Sequence, residues 1–363
     1  MRILFLSRHP INQGFGGERW LYEVSRRLRS RHDVSILTGS SGESMTDFRE
    51  RLIADGVEVA EISADEDGKR ALAEAARRSD VIYIMDSPSG RGQLRSVLSS
   101  LPESRSILGH HTPLAVGGPG VGPNALIRSY YRYMKPRIIL SYGDVSAHHV
   151  LTISDLKAME KLTSAPVFHI ENGIDISQYA PGQKATRPTL LFLGRLDRHK
   201  GFDRFIRLVR GISRLNSDVQ LIAAGDGPLS SRADALAARY DFITYRGFVN
   251  DDEKRSLLSS SHFTLMLSRW EAFPFVVLES MASGTPVFTF SIPGPTEIVE
   301  DEVSGIIASG PEDMAARVSE WSGRTGSVEY GKMCSRAVAR ASGNDWASIV
   351  PRIESMFREV SSR

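Results

Sequence analysis

The chain has 363 residues, longer than the ~250–300 at which a single hydrophobic core stops growing, so two α/β domains are predicted. Its 41% hydrophobic and 24% charged residues exclude a disordered chain, and a net charge of +2 leaves no electrostatic footprint for nucleic acid. A single cysteine, Cys334, excludes an internal disulfide framework and a cluster of sulfur ligands.

The opening run from Met1 to Leu6 is too short for a signal peptide and reads as a buried strand, so a cytoplasmic location is expected. No stretch approaches the ~20 apolar residues that span a bilayer, so any membrane contact is expected to be peripheral. Through the first half, apolar runs at 3–6, 34–37, 81–85, 107–108 and 150–153 alternate with amphipathic stretches at 21–28 and 71–77. The second half repeats the rhythm with runs at 190–193, 219–223, 243–245, 263–267, 287–290 and 305–307. Alternation of this kind predicts one parallel sheet per half. Residues 166–188, with Gly173, Pro181, Gly182 and Pro188, read as the linker. Two domains follow, 1–167 and 168–344. Residues 345–363 form a last helix whose apolar face, Ile349, Ile353, Met356, Phe357 and Val360, is expected to pack back on the first domain.

Open parallel sheets bind ligands at the carboxyl ends of their strands, which directs attention to the loops after Ser7, Leu193, Ala223 and Leu267. The loop 7–18 ends in Gly16 and Gly17 at a helix start, where backbone amides can approach an anion. A tight strand-to-helix turn with no ligand is the alternative. No dinucleotide fingerprint is present, because Arg19 stands where a third glycine is needed, and no phosphate loop of the Gly-Lys-Ser/Thr type occurs.

After the run at 190–193, Arg195 offers a bidentate fork and Lys200 a point charge. Together they can clamp a diphosphate and stabilise the charge on it as a leaving group; solvated surface charge is the other reading. Further on, Glu271 sits on a loop and Glu279 eight positions later in the next helix. A carboxylate accepts hydrogen bonds from both hydroxyls of a vicinal diol, which suits a hexose or a ribose, whereas a capping or solvated glutamate would carry no such role.

Taken in order, these residues resemble the retaining glycosyltransferases of family 4, also called group 1, over nearly the whole chain. The resemblance rests on Ser268 through Pro286 with its two glutamates, on Gly194-Arg195-Leu196 with Lys200-Gly201, and on Gly225-Asp226-Gly227-Pro228. Gly16-Gly17-Glu18-Arg19, Glu171-Asn172-Gly173-Ile174-Asp175 and Gly294-Pro295 with Glu297-Ile298-Val299 add to it. The fold so implied is GT-B, two Rossmann-like α/β domains facing each other across a cleft, with the donor site in the C-terminal half.

By that resemblance Arg195 and Lys200 hold the donor diphosphate, Glu279 the ribose hydroxyls, and Glu271 the hydroxyls of the transferred sugar. Gly16 and Gly17 face the diphosphate; Gly225, Ala272, Phe273, Pro274 and Phe275 complete the donor set; Gly294 and Thr296 present backbone groups. His111 corresponds to the histidine placed near the reacting sugar, with His110 as its rival. One departure matters: the family often has Glu-Gly-Phe-Gly where this chain has Glu271-Ala272-Phe273-Pro274. Pro274 has no N–H, so a backbone contact there must come from Phe273 or Phe275.

The implied reaction moves a sugar from a nucleoside-diphosphate sugar to a hydroxyl acceptor with retention. His111, Glu271, Arg195 and Lys200 serve catalysis, and neither metal nor cofactor takes part. A non-catalytic sugar-nucleotide-binding protein and a glycoside hydrolase or phosphorylase are the alternatives. Leu126 to Arg137 sets Arg128, Arg132, Lys135 and Arg137 beside tyrosines, the composition of an interfacial helix, and Arg26, Arg27, Arg29 and Arg31 form a second basic cluster. From these a lipid-linked acceptor or glycoconjugate precursor, an anionic membrane surface and a role in cell-envelope glycan synthesis are expected; an ordinary solvated helix flank whose tyrosines pack on the domain, with a soluble sugar or small metabolite as acceptor, is the alternative.

Overall fold

The computed structural model describes residues 1–7, 9–11, 16–39, 46–63, 65–85, 105–114, 116, 122–140, 145–215 and 218–362. The chain divides into two compact units. One comprises Met1–Ala115, Leu126–Asn172 and Ala347–Arg363; the other comprises Val116–Ala125 and Gly173–Trp346.

The first unit is built on β1 (Arg2–Ser7), β2 (Asp33–Thr38), β3 (Glu58–Glu61), β4 (Val81–Met85), β5 (Ser106–His110), β6 (Ala147–Val150) and β7 (Val167–His169). They pair in the order β3-β2-β1-β4-β5-β6-β7, every pairing parallel. Central strands of a parallel sheet are covered on both faces and are largely apolar, as the buried β4 is at Val81–Met85. Connecting helices include α1 (Gly16–Leu28), α2 (Phe48–Ala54) and α3 (Glu66–Arg78). On α1, Trp20, Leu21, Val24 and Leu28 fall on one stripe and are fully buried.

The region of the expected interfacial helix runs through α4 (Ala125–Ser129), a π turn (Tyr130–Met134) and α5 (Lys135–Leu140). After β6 comes α6 (Ile153–Met159).

The second unit repeats the plan with β8 (Thr189–Leu193), β9 (Gln220–Ala224), β10 (Ile243–Tyr245), β11 (Phe263–Met266), β12 (Val287–Phe290) and β13 (Gly305–Ala308), in the order β10-β9-β8-β11-β12-β13 and again parallel. Between and beyond them lie α7 (Phe202–Leu215), α8 (Ser230–Arg239), α9 (Asp251–Ser260), α10 (Phe275–Ala282), α11 (Pro295–Ile298), α12 (Pro311–Ser322) and α13 (Val328–Ser342). Phe192, Phe202, Phe205, Phe263 and Phe288 lie at the centre of its core. In both sheets the winding direction reverses beside the first strand, β1 next to β4 and β8 next to β11. A crevice opens at the carboxyl ends of such a pair, and ligands of doubly wound sheets bind there.

Three local expectations change. β6 begins at Ala147 and α6 already starts at Ile153, so the run at 150–153 marks a strand end and not a strand. The strand was hidden because two of its four residues are histidines, polar in sequence yet 4% and 1% exposed. β3 and β7 are also unexpected strands: β3 carries exposed glutamates, and both lie at the edges of the sheet, where polar residues reach solvent.

The basic clusters change as well. Lys135 is not on an interfacial face: it is 2% exposed and donates to Thr112 O, Thr112 Oγ1 and Pro113 O at 2.9, 2.6 and 2.9 Å. Arg26 and Arg27 both pair with Glu23, Arg29 donates to Gly56 O, and Arg31 pairs with Glu354. Among the described residues no helix is long and apolar enough to cross a membrane.

The last helix, α14 (Trp346–Ser361), contributes to the first unit from Ala347 onward. Phe357 is fully buried, its ring 5.9 Å from Phe5 and 5.8 Å from Tyr83. Phe357→Ala should lower the stability of the first unit by about 3–5 kcal/mol, the usual cost of emptying a buried aromatic site. In urea the unfolding midpoint should fall with an unchanged slope, and Phe357→Leu should fall less; an unshifted midpoint would show that α14 is not part of this core.

Candidate functional site

The second unit gathers most of the expected donor residues at its switch point. The turn after β8 opens at Gly194 (φ +147°), whose carbonyl lies so close to Gly225 (φ +131°) that a Cβ there would meet it at 2.0 Å. Glycine at Gly225 is therefore a packing requirement between the loops after β8 and β9. Asp197 Oδ1 accepts from Lys200 N at 2.8 Å and closes the turn, and Gly201 (φ +80°) follows. A Cβ on Gly201 would lie 2.0 Å from Leu267 O, so the loop after β8 rests directly on the end of β11.

That close approach brings Lys200 to Glu271. Lys200 Nζ donates to Glu271 Oε1 at 2.7 Å, and Ser268 Oγ donates to the same oxygen at 2.7 Å. The Glu271 side chain is 11% exposed and that of Lys200 35%. Burial on its own would raise the Glu271 carboxyl, but the charges of Lys200 and His199 and the hydrogen bonds from Lys200 and Ser268 outweigh it and hold the group below its ordinary value. The surrounding backbone is equally tied. Arg269 makes a bidentate pair with Asp203 at 2.8 and 2.6 Å, His199 Nε2 donates to Trp270 O at 2.9 Å, and the buried Arg204 donates to Leu267 O and Ser268 O at 3.1 Å. Arg195 is placed differently: half exposed, it pairs loosely with Asp197 at 3.2 Å.

Glu279, on α10, is 2% exposed. Its Oε1 accepts from Tyr179 Oη at 2.7 Å and from Lys254 Nζ at 3.3 Å. Ala272, Phe273, Pro274 and Phe275 are all buried, so their side chains belong to the packing, and ligand contacts there would run through the main chain. Pro274 is the cap residue of α10 and lacks an N–H. Gly294 (φ +87°) abuts the same loop, since a Cβ on it would lie 2.2 Å from Ala272 O.

In the first unit, Gly16 and Gly17 begin α1, and a Cβ on Gly17 would be 3.7 Å from His111 Cβ. Sequence-distant residues thus meet at the carboxyl ends of β1 and β5. Arg8 and residues 12–15 of the expected anion loop lie outside the described residues. The two candidate histidines separate cleanly. His110 is fully buried within β5, with Nε2 3.1 Å from His148 Nδ1, whereas His111 is partly exposed just past the strand end, with Nε2 2.9 Å from Tyr83 Oη. Of the pair, only His111 has a side chain at the surface.

Sequence reasoning missed Tyr179, Lys254 and Ser268, the partners of the two glutamates, and Tyr83, the partner of His111. Ser268 stands three residues from Glu271 and was within reach of inspection. Tyr179 is one hundred positions from Glu279, a separation that leaves no trace in periodicity.

With this geometry in hand, similarity to known proteins is informative. Residues 175–333 match the family model of glycosyl transferases group 1. The chain is 29% identical over 124 residues to an alpha-D-kanosaminyltransferase of Streptomyces kanamyceticus, covering 33% of this chain and 32% of that protein. It is 30% identical over 157 residues to the GDP-mannose-dependent alpha-(1-6)-phosphatidylinositol dimannoside mannosyltransferase of Mycobacterium tuberculosis, covering 40% and 41%. The chain thus spans about a third to two fifths of the length of these curated relatives. Among solved structures, Anabaena Alr3699/HepE in complex with UDP superposes with a TM-score of 0.79 at 17% identity, over 99% of this chain and 100% of that one. The two Rossmann-like units are those of the GT-B fold, and residues 175–333 are similar to the group 1 glycosyl transferases.

Proposed function

We propose that this protein transfers a sugar from a nucleoside-diphosphate sugar to a hydroxyl acceptor, with retention at the anomeric carbon and without a metal ion. The observation that carries this reading is the 2.7 Å contact of Lys200 Nζ with Glu271 Oε1 at the switch point of the second sheet. There a cation suited to phosphate stands beside an ionised carboxylate suited to sugar hydroxyls. Lys200 and the exposed Arg195 hold the diphosphate and stabilise its charge as it leaves, which is the work a bound cation would otherwise do. Glu271 accepts hydroxyls of the transferred sugar, and Glu279 those of the ribose. Main-chain groups of Gly225, Ala272, Phe273 and Phe275 line the donor. To the first unit we assign the acceptor, with Gly16 and Gly17 serving the diphosphate and His111 the reacting sugar.

The complex of Anabaena Alr3699/HepE with UDP supports a nucleotide-sugar donor, as does the GDP-mannose dependence of the mycobacterial relative. A glycoside hydrolase fits less well. Its general acid needs a carboxyl raised toward neutrality, and Glu271 is held on the opposite side of its ordinary value.

Lys200→Ala and Arg195→Ala should weaken a nucleoside diphosphate by about tenfold or more each while leaving the matching nucleoside nearly unchanged, as expected for loss of a charged hydrogen bond. Calorimetric titration with UDP, GDP and their nucleosides reads this directly, and equal losses on both kinds of ligand would remove these residues from the diphosphate. Glu271→Ala and Glu279→Ala should each cut transfer by about one to two orders of magnitude. Mass spectrometry of a panel of nucleotide sugars measures it, and the same assay should keep its rate in EDTA.

A membrane-proximal acceptor is the finer part of the proposal. Leu126 is 81% exposed, Tyr133 53%, Met134 46% and Leu140 54%, with Arg128, Arg132 and Arg137 on the same stretch. At roughly 1 kcal/mol per basic residue near an anionic surface, binding should be reversible and lost at high salt. Co-sedimentation with phosphatidylserine vesicles should weaken in an Arg128→Ala/Arg132→Ala/Arg137→Ala variant; no binding at low salt would point to an acceptor in solution.

A further inference from the structure

Tyr83 stands in β4 with its hydroxyl between two imidazoles, 2.9 Å from His111 Nε2 and 2.6 Å from His149 Nδ1. His149 Nε2 is in turn 2.8 Å from Ile170 O. A carbonyl oxygen can only accept, so Nε2 of His149 carries a hydrogen. Burial pushes the His149 imidazole down to about 4, so near neutral pH that is its one ring hydrogen, and Nδ1 carries a lone pair. The hydroxyl of Tyr83, kept protonated by the same burial, must therefore donate to His149 Nδ1. With its hydrogen committed there, the phenol oxygen accepts from His111, whose Nε2 supplies the hydrogen.

The fold makes room for this chain of contacts. Gly109 lies on β5 beside Tyr83, and a Cβ there would sit 1.9 Å from the Tyr83 hydroxyl oxygen and 2.2 Å from Cζ. A buried phenol that nothing in the core displaces is held at that spot only because the strand is notched by glycine. Trp20 lies across the group, its ring stacked on Tyr83 at 4.8 Å and 4.6 Å from His111.

We infer that Tyr83 and His149 are positioning residues that fix neutral His111 as its Nε2–H tautomer, with the lone pair on Nδ1, and that Gly109 is the notch that admits the Tyr83 hydroxyl. A group that meets Nδ1 of neutral His111 must then donate a hydrogen bond, as a sugar hydroxyl does and a phosphate oxygen does not. The catalytic part of this rests on the assignment of His111 to the sugar; the tautomer does not.

Nitrogen-15 NMR of histidine-labelled full-length protein at slightly alkaline pH, with His111→Gln for assignment, should show a protonated Nε2 and an unprotonated Nδ1 on His111. Tyr83→Phe and Gly109→Ala should both turn that signature into a mixture of tautomers. With the donor that the panel identifies, Tyr83→Phe should lower kcat about fivefold to tenfold and change KM less. A hydrogen on Nδ1 of wild-type His111 would overturn the inference even if both variants failed to fold. An unaltered tautomer in Tyr83→Phe would overturn it too, and a tautomer that shifts with kcat unchanged would remove the positioning role. A fixed tautomer in a protein that turns over no nucleotide sugar would instead sink the proposed reaction and leave the hydrogen-bond assignment standing.

Discussion

A carboxylate taken largely out of water stays charged only if a cation or several donors reach it. Glu271 meets that condition through Lys200, at 2.7 Å, and Lys200 can reach it only because the loop after β8 lies on the end of β11. The contact is made of backbone: no side chain fits between Gly201 and Leu267 O, where a Cβ would stand 2.0 Å away. The carbonyls exposed where β11 ends are satisfied in turn by Arg204, a buried guanidinium that burial has pushed down to about 10 and that packs over the Phe290 ring at 4.8 Å. One glycine and one buried arginine thus determine where the carboxylate and ammonium can be.

Around the candidate site residues, the two units bury polar groups by different chemistry. In the second, charge is set against charge: Glu271 with Lys200, Glu279 with Lys254, Asp203 with Arg269. In the first, neutral donors and acceptors are chained, His111 to Tyr83 to His149 to a carbonyl, beneath the indole of Trp20. Charged pairs suit a ligand that brings phosphate. A neutral chain suits one that brings hydroxyls, because it fixes which atom donates without adding net charge.

How much of this the sequence disclosed depends on whether the responsible physics is local. The runs at 263–267 and 287–290 announce β11 and β12 because both faces of a central parallel strand are apolar. β6 escaped because His148 and His149 look soluble; what makes them buried strand residues is the register that sets Leu108 beside His148 and Gly109 beside His149, which no window of sequence contains. Lys200 and Glu271 could be singled out by their place after strands, but their mutual contact across 71 positions could not. Within the basic stretch at 126–137 composition misplaced one residue, Lys135, which is drawn inward by the carbonyls of Thr112 and Pro113.

On the proposed reading, the pairing of Lys200 with Glu271 also bears on why the donor would be held as one piece. The ammonium offers three hydrogens, of which one goes to Glu271 Oε1, so it can add a phosphate oxygen without releasing the carboxylate. A diphosphate arriving alone meets the same cation but also the repulsion of Glu271, which Lys200 keeps ionised. A sugar attached to that diphosphate interposes hydroxyl donors between the two anions and converts part of the repulsion into hydrogen bonds. The same arrangement would favour release after transfer, when the sugar is gone and the anions again face each other. Charge that assists departure of the leaving group and charge that orients the sugar are then two functions of one ion pair.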